Sequence, residues 1–262
     1  MRRVTMPDDR FIRIRQLIGS QGLEKLGNSR VAIVGLGAVG SYATEALARA
    51  GVGHLRLVDF DVVRNSNINR QLFALESTLG LPKAEIARQR VLEINPNCDV
   101  QPLQLFVDSQ SIHTVLGGLL DLVIDAIDSV GPKIGLLAEA AERRITVVSC
   151  MGAALRTDPA QVRVGRLADI HHCPLGRRVR RELRKRGVSL DLCCIYSTEP
   201  VAGLSKTAIT FDRDDREESL QRGRKRSVLG SLPTLTGIFG LTAANTALKL
   251  LLGKDFPGKA AN

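Results

Sequence analysis

The passage from "RVAIV" into "GLGAVGSYATEALARAG" (residues 30–51) restricts the fold of this chain more than any other stretch. A short apolar run rich in Val and Ile predicts a buried strand, and the alanine-rich segment after the glycines predicts a helix, stopped by Gly51. Between them, Gly35, Gly37 and Gly40 fit G-x-G-x-x-G. The first glycine allows a tight turn, the second lets backbone approach a phosphate, and the third lets helix pack close to strand. The start of such a helix offers free N–H groups and the positive end of a dipole. A nucleotide is the expected ligand, with NAD the common occupant of such a loop.

Strand and helix signals keep alternating after this unit. "HLRLVD" reads as a second strand, "KAEIARQRVLEINP" as an amphipathic helix ending near Pro96, and "DVQPLQLF", "DLVIDAID" and "ITVVSC" as further strands. Helical runs around residues 111–116 and 133–143 separate them. The expected fold is therefore α/β: a Rossmann-like, mostly parallel sheet with helices on both faces and ligands at the carboxyl ends of its strands. Beyond Met151 the pattern loosens. "HHCPLGRRVRRELRKRG" and "FDRDDREESLQRGRKRS" read as a charged surface helix and loop inserted in one fold. The organisation expected is a single domain over 1–262, with a nucleotide-binding core (28–150), a substrate-facing region (151–230) and a final core helix (231–253).

Composition narrows the partners. The chain of 262 residues holds 37 Lys and Arg against 27 Asp and Glu, a net charge of +10, which favours an anionic partner. Aromatic residues make up 3% and Trp is absent, which disfavours a surface that stacks successive single-stranded bases. The five cysteines (Cys98, Cys150, Cys173, Cys193, Cys194) form no C-x-x-C pair, so a cysteine-rich zinc site has little support. Their odd number and the lack of an apolar leader in "MRRVTMPDDRFIRIR" point to a reducing cytoplasm. Residues 227–248 carry no charge, but Pro233, Asn245 and several Ser, Thr and Gly make a buried helix with a glycine-rich approach the better reading than a membrane span. His171 and His172, with no further ligand spaced nearby, read as a loop pair.

The segment after the second strand, "DFDVVRNSNINRQ", goes beyond what a dinucleotide site needs. Asp59 stands where a carboxylate accepts both ribose hydroxyls. Asp61, Ser66, Asn67, Arg70 and Gln71 follow, and Lys83 opens the next helix. Arg70 offers a planar charged fork for phosphate oxygens, Lys83 a mobile point charge, and Ser66 and Asn67 neutral donors. In "DAIDS", Asp128 lies just past the fourth strand, placed to hold magnesium through oxygen. Two cations and a magnesium-type carboxylate around a glycine loop suit a triphosphate better than the pyrophosphate of NAD.

These motifs, "GLGAVG…VDFDVVRNSNINRQ…GLPKAE…INP…DAID", resemble the ubiquitin-activating-like adenylating enzymes of the ThiF/MoeB/HesA type, from about Arg10 to the last helix. The resemblance implies that Asp59 holds the ribose of ATP, that Ser66, Asn67, Arg70 and Lys83 engage its phosphates, and that Asp128 binds Mg2+. It implies attack of a substrate carboxylate on the α-phosphate, giving an acyl-adenylate and pyrophosphate. Asp61 and Gln71 belong to the same expected nucleotide-binding set.

Activators of sulfur-carrier proteins in this family generally carry zinc-binding C-x-x-C pairs, which this sequence lacks. "VIDAIDSVGPK", "DPAQVRVGRLADI", "PLGRRVRREL" and "CCIYSTE" resemble instead the branch that acts on threonylcarbamoyladenosine in tRNA. That branch adenylates the threonine carboxylate and cyclises it with loss of AMP, so Cys194 need not be a nucleophile. The alternative is adenylation of the C-terminal Gly of a small ubiquitin-like carrier. For the tRNA reading, Arg177, Arg178, Arg180, Arg181, Arg184 and Lys185 are the expected phosphate contacts, with a second basic cluster at Arg222, Arg224, Lys225 and Arg226. "RFIRIRQ" resembles the family segment that carries an arginine into the partner's ATP site. A homodimer is expected, with Arg13 the best match and Arg10 the alternative. A helper protein delivering sulfur or electrons is a further possible partner.

Overall fold

The computed structural model describes residues 9–201 and 229–256. The second basic cluster and the "FDRDDREESLQRGRKRS" segment lie outside the described residues. The chain runs α1 (Ile12–Asn28), β1 (Arg30–Val34), α2 (Gly40–Ala50), β2 (His54–Val58), α3 (Lys83–Ile94), β3 (Asp99–Leu103), α4 (Ile112–Val115), β4 (Leu122–Asp125), α5 (Val130–Glu142) and β5 (Thr146–Cys150). Then come β6 (Val162–Arg166), α6 (Pro174–Lys185), β7 (Cys193–Ser197) and α7 (Pro233–Leu252).

One seven-stranded sheet has the order β3-β2-β1-β4-β5-β7-β6. All neighbours pair in parallel except β6 and β7, which are antiparallel. The order reverses direction at β1, whose neighbours are β2 and β4, and that reversal opens a crevice at the carboxyl ends of β1 and β4. The alternation of strand side chains sorts the core into two layers. Val31 and Ile33 face the layer built with α1, α2, α3 and α7, whereas Ala32 and Val34 face α4, α5 and α6. The expected α/β architecture with helices on both faces is therefore the one observed.

Two features of the second half depart from the sequence reading. "VRVGR" and "CCIYS" form β6 and β7, which extend the main sheet beyond β5. The arginine-rich segment also has more apolar order than its composition suggests. Val179 and Leu183, four residues apart, are wholly buried on one stripe of α6, with Gly176 a turn earlier. Two apolar residues among so many charges suffice because the stripe only has to cover α5 and the short segment before α6.

The uncharged C-terminal segment becomes α7, which is long and apolar enough to cross a membrane by length and composition. More than half of its most apolar window is buried, against α1, α2, β4 and β5. Gly240 makes this packing possible, since a Cβ there would stand 2.3 Å from the Val39 carbonyl oxygen. The small residues that dilute its hydrophobicity are those that let α7 lie close against α2.

Candidate active site

The glycine loop turns at Gly35, where a φ of +93° and the Ala126 carbonyl oxygen, which would stand 2.8 Å from a Cβ, both exclude a side chain. Gly40 lets α2 close onto the strand, because a Cβ would fall 1.8 Å from the Gly35 carbonyl oxygen. At Gly37 such a Cβ would meet, among the described residues beyond its chain neighbours, just the Gln71 amide nitrogen at 3.7 Å, so the loop keeps room for a phosphate on that side. No side chain caps the start of α2, where the Ser41 N–H turns back to the Gly37 carbonyl at 3.0 Å, and the positive end of the helix dipole faces the loop.

Asp59 ties the second strand to this loop. One carboxylate oxygen accepts from the Leu36 N–H at 2.7 Å and the other from the Asp61 N–H at 2.9 Å. Each oxygen retains acceptor capacity for a ribose hydroxyl. Burial raises the Asp59 pKa, and the nearby Lys83 charge and these two N–H groups oppose that rise.

Lys83 differs from the mobile charge expected of it. It is 5% exposed, with its ammonium 3.4 Å from Asp61 and its backbone N–H bonded to the Asp61 carbonyl. Asp61 thus serves the site as an anchor for cations, holding Lys83 and, at 3.8 Å, Arg64. Arg70 spends one nitrogen on the Ser66 carbonyl and the Asn69 side chain, both at 2.9 Å, leaving the rest of its guanidinium for other acceptors. Asn67 is buried and accepts from the Arg64 N–H, while Ser66 is exposed and Gln71 is buried beside the glycine loop.

Asp128 is exposed just beyond β4, with its carboxylate 3.5 Å from the Ser129 hydroxyl. Sequence reasoning missed what supports this loop. Asp125, Lys133 and Ser149 form a fully buried cluster, in which one Asp125 oxygen takes 2.6 Å bonds from both the Lys133 ammonium and the Ser149 hydroxyl. The other oxygen accepts from the Ile127 N–H at 3.1 Å. The cluster pins the turn that carries Asp128 to β5 and α5. The signal was present in "DAIDSVGPK", where a Lys stands in the first turn of the helix after the strand, but Asp125 and Asp128 compete for the same reading.

No three His, Cys, Asp or Glu side chains converge on a metal position among the described residues. One exposed carboxylate beside a phosphate loop is still the donor set magnesium uses, since that ion keeps waters and takes its remaining oxygens from nucleotide phosphates.

On α6, Arg177, Arg178, Arg181, Arg184 and Lys185 are exposed. Arg181 and Lys185 share Glu182, at 3.0 and 3.4 Å. Arg180 has another task than the one expected. It is half-buried and donates to the Ala168 and Ile170 carbonyls at 3.0 and 2.7 Å, which fixes the segment before the helix. Arg13 is exposed on the first turn of α1. Cys194 is wholly buried, and burial raises its thiol pKa.

A model of the ThiF family matches residues 9–262. The chain belongs to the ThiF family. It is 44% identical over 189 residues to a tRNA threonylcarbamoyladenosine dehydratase of Bacillus subtilis, covering 72% of this chain and 74% of that protein. The crystal structure of the Escherichia coli enzyme of the same name, in complex with ATP, superposes with a TM-score of 0.81 at 32% identity over 94% of this chain and 95% of that one. A structure of that enzyme with AMP is similar to the same degree. Molybdopterin-synthase adenylyltransferase of Salmonella typhimurium is 38% identical over 138 residues, which cover 53% of this chain and 54% of that protein.

Proposed function

We propose that this ThiF-family chain is an ATP-dependent tRNA threonylcarbamoyladenosine dehydratase. The observation that carries the reading is the extent of the likeness: similarity to the dehydratases spans most of the chain, and similarity to the carrier-protein adenylyltransferase about half. A carrier-activating role is therefore the weaker reading.

In this reading Asp59 accepts the ribose hydroxyls of ATP, and the glycine loop, the start of α2, Ser66, Asn67, Arg70 and Lys83 take the phosphates. Gln71 faces the loop at Gly37. Asp128 would hold Mg2+, which when bound screens the phosphate charge. A carboxylate oxygen of the threonyl group attacks the α-phosphorus, the bond to the bridging oxygen breaks, and pyrophosphate leaves with its electron pair. Attack within the substrate on the acyl carbon then closes a ring and expels AMP, so the nucleoside has lost one water. Fixed positive charge suits the first step, since charge moves onto the leaving pyrophosphate.

The tRNA is held through phosphates by the exposed arginines of α6. The active form is a homodimer in which Arg13 reaches the partner's ATP, and exposed Leu17, Leu241 and Leu250 on α1 and α7 supply apolar surface for such contacts. The setting is the cytoplasm. Incubation of threonylcarbamoyladenosine-containing tRNA with enzyme, ATP and magnesium, followed by nucleoside mass spectrometry, should show a product lighter by one water. Unchanged nucleoside with an active positive-control enzyme overturns the reading.

A further inference from the structure

Arg156 lies in the loop after β5, at the same carboxyl edge of the sheet as the nucleotide site, and is 2% exposed. One terminal nitrogen donates to the His172 carbonyl at 2.7 Å. The other terminal nitrogen and Nε are buried with no hydrogen-bond partner among the described residues. An arginine cannot shed its proton to escape this position, and a buried cation with two of its three nitrogens unpaired among the described residues calls for an anion.

The neighbouring carboxylate does not meet that need. Glu199 feels the charge of Arg156, but its oxygens accept from the Thr157 and Asp158 N–H groups and the Thr157 hydroxyl at 2.8–3.1 Å. The backbone around the guanidinium is also unusual. Leu155, just before it, and His172, which supplies its one acceptor, are two of the three non-glycine residues with positive φ among those described. Such conformations persist where surrounding structure enforces them, and they concentrate at ligand sites.

Position identifies the side of the reaction concerned. Asp59 at the end of β2 and the glycine loop after β1 place ribose and phosphates on one side of β4. Substrate must then approach the α-phosphate from the side of β5 and β7, where Arg156 stands. The exposed rings of His171 and His172, 5.1 Å apart, adjoin the same loop and offer flat surfaces to a nucleobase.

We infer that Arg156 is a specificity-determining residue of the acceptor subsite, binding an oxyanion of the RNA substrate. This deepens the functional reading above and rests on it. Two sources share that chemistry: the threonyl carboxylate and a phosphate of the RNA backbone.

Arg156→Gln keeps a donor for the His172 carbonyl and removes the charge, and Arg156→Lys keeps the charge without the fork. For the Gln variant, the KM for modified tRNA should rise tenfold or more while the KM for ATP stays unchanged, and the Lys variant should recover part of the loss. Binding of tRNA with and without the threonylcarbamoyl group separates the sources. A penalty confined to modified tRNA assigns the carboxylate, and an equal penalty on both assigns a phosphate. Because the buried charge has a single acceptor, which Gln can keep, among the described residues, the Gln variant should melt no lower than wild type. A lower melting temperature with unchanged tRNA binding and KM makes Arg156 part of the scaffold and overturns the inference, as does an unaffected variant. If wild type makes no dehydrated nucleoside, the functional reading falls and the inferred role falls with it, whereas active wild type with an indifferent Arg156→Gln sinks this inference alone.

Discussion

The two sides of β4 are prepared differently. Toward β2, nearly every polar group is bonded to another: Asp59 to Leu36 and Asp61, Asp61 to Lys83, Arg70 to Ser66 and Asn69. Toward β7, among the described residues, Arg156 is buried with two nitrogens unbonded, and the side chains of Arg177, Arg178 and Arg184 have no partner. A site whose groups are fixed before the ligand arrives loses little on ordering, which suits a small, invariant ligand. A site of unmet cations is completed by the ligand itself, which suits a large polyanion.

The largest effects should come from the nucleotide side. Asp128→Ala and Arg70→Ala should each slow adenylation by about 10²–10³, the usual cost of removing one preorganised charge from a transition state. Both occupy loop positions, so melting should be nearly unaffected. Arg13→Ala tests whether a charge also comes from a second copy. Homodimers of Arg13→Ala and of Asp128→Ala should be almost inactive, and mixed subunits should regain part of the activity through one intact site. Demonstrated subunit exchange with no recovery removes Arg13 from the partner's site.

The acceptor side should show a smaller effect that depends on salt. Arg177, Arg178 and Arg184 are the substitutions to make, because reversing Arg180 would strip the Ala168 and Ile170 carbonyls of their donor and confound binding with folding. Replacing the three with Glu should weaken tRNA binding roughly ten- to a hundredfold at low salt. It should also flatten the salt dependence by about 0.7–0.9 in log–log slope for each RNA phosphate the helix no longer neutralises. ATP affinity, measured by calorimetry, should not change. An unaltered tRNA Kd across the salt series leaves α6 as a solvated face and removes the contrast between the two sides.

Much of the fold could be read because it rests on local rules. The apolar run "RVAIV", the Gly51 stop and the small residues of the loop each have one conformational use. The later strands were harder, since "VRVGR" carries charge on an edge strand and "CCIYS" is too short for periodicity to separate strand from helix. At the site, residue types were legible where one chemistry dominates, as for Asp59 and the glycines. Partnerships were not. Nothing in the spacing of Asp61 and Lys83 shows that one fixes the other, and nothing in the arginine run shows that Arg180 turns back onto carbonyls while Arg177, Arg178, Arg181 and Arg184 face solvent. Arg156 gave no signal at all, because a single arginine in a loop is informative only through what fails to surround it.

The smallest expected effect concerns Cys194, whose thiol would matter only to a reaction that passes through an enzyme thioester. A reactive cysteine needs exposure and a lowered pKa. Cys194 has neither: it is wholly buried in β7, and burial pushes its thiol up, despite the Lys133 ammonium nearby. Cys150, on the adjacent strand, is likewise pushed up to about 12. Cys194→Ala should therefore leave turnover unchanged and cost about 1 kcal/mol of stability, the loss of a small buried apolar group. The sign of the pH effect follows from the same burial. A thiol that ionises near 9.0 when exposed and much higher when buried contributes stability below that pH and loses it as pH rises through the gap. In denaturant titrations, wild-type stability should fall with alkaline pH by up to about 1.4 kcal/mol per unit for each such thiol, and Cys194→Ala should fall less steeply. Loss of turnover in a folded Cys194→Ala protein, or a thiol-sensitive adduct trapped at this position, would return the carrier reading to the front and make β7 part of the chemistry.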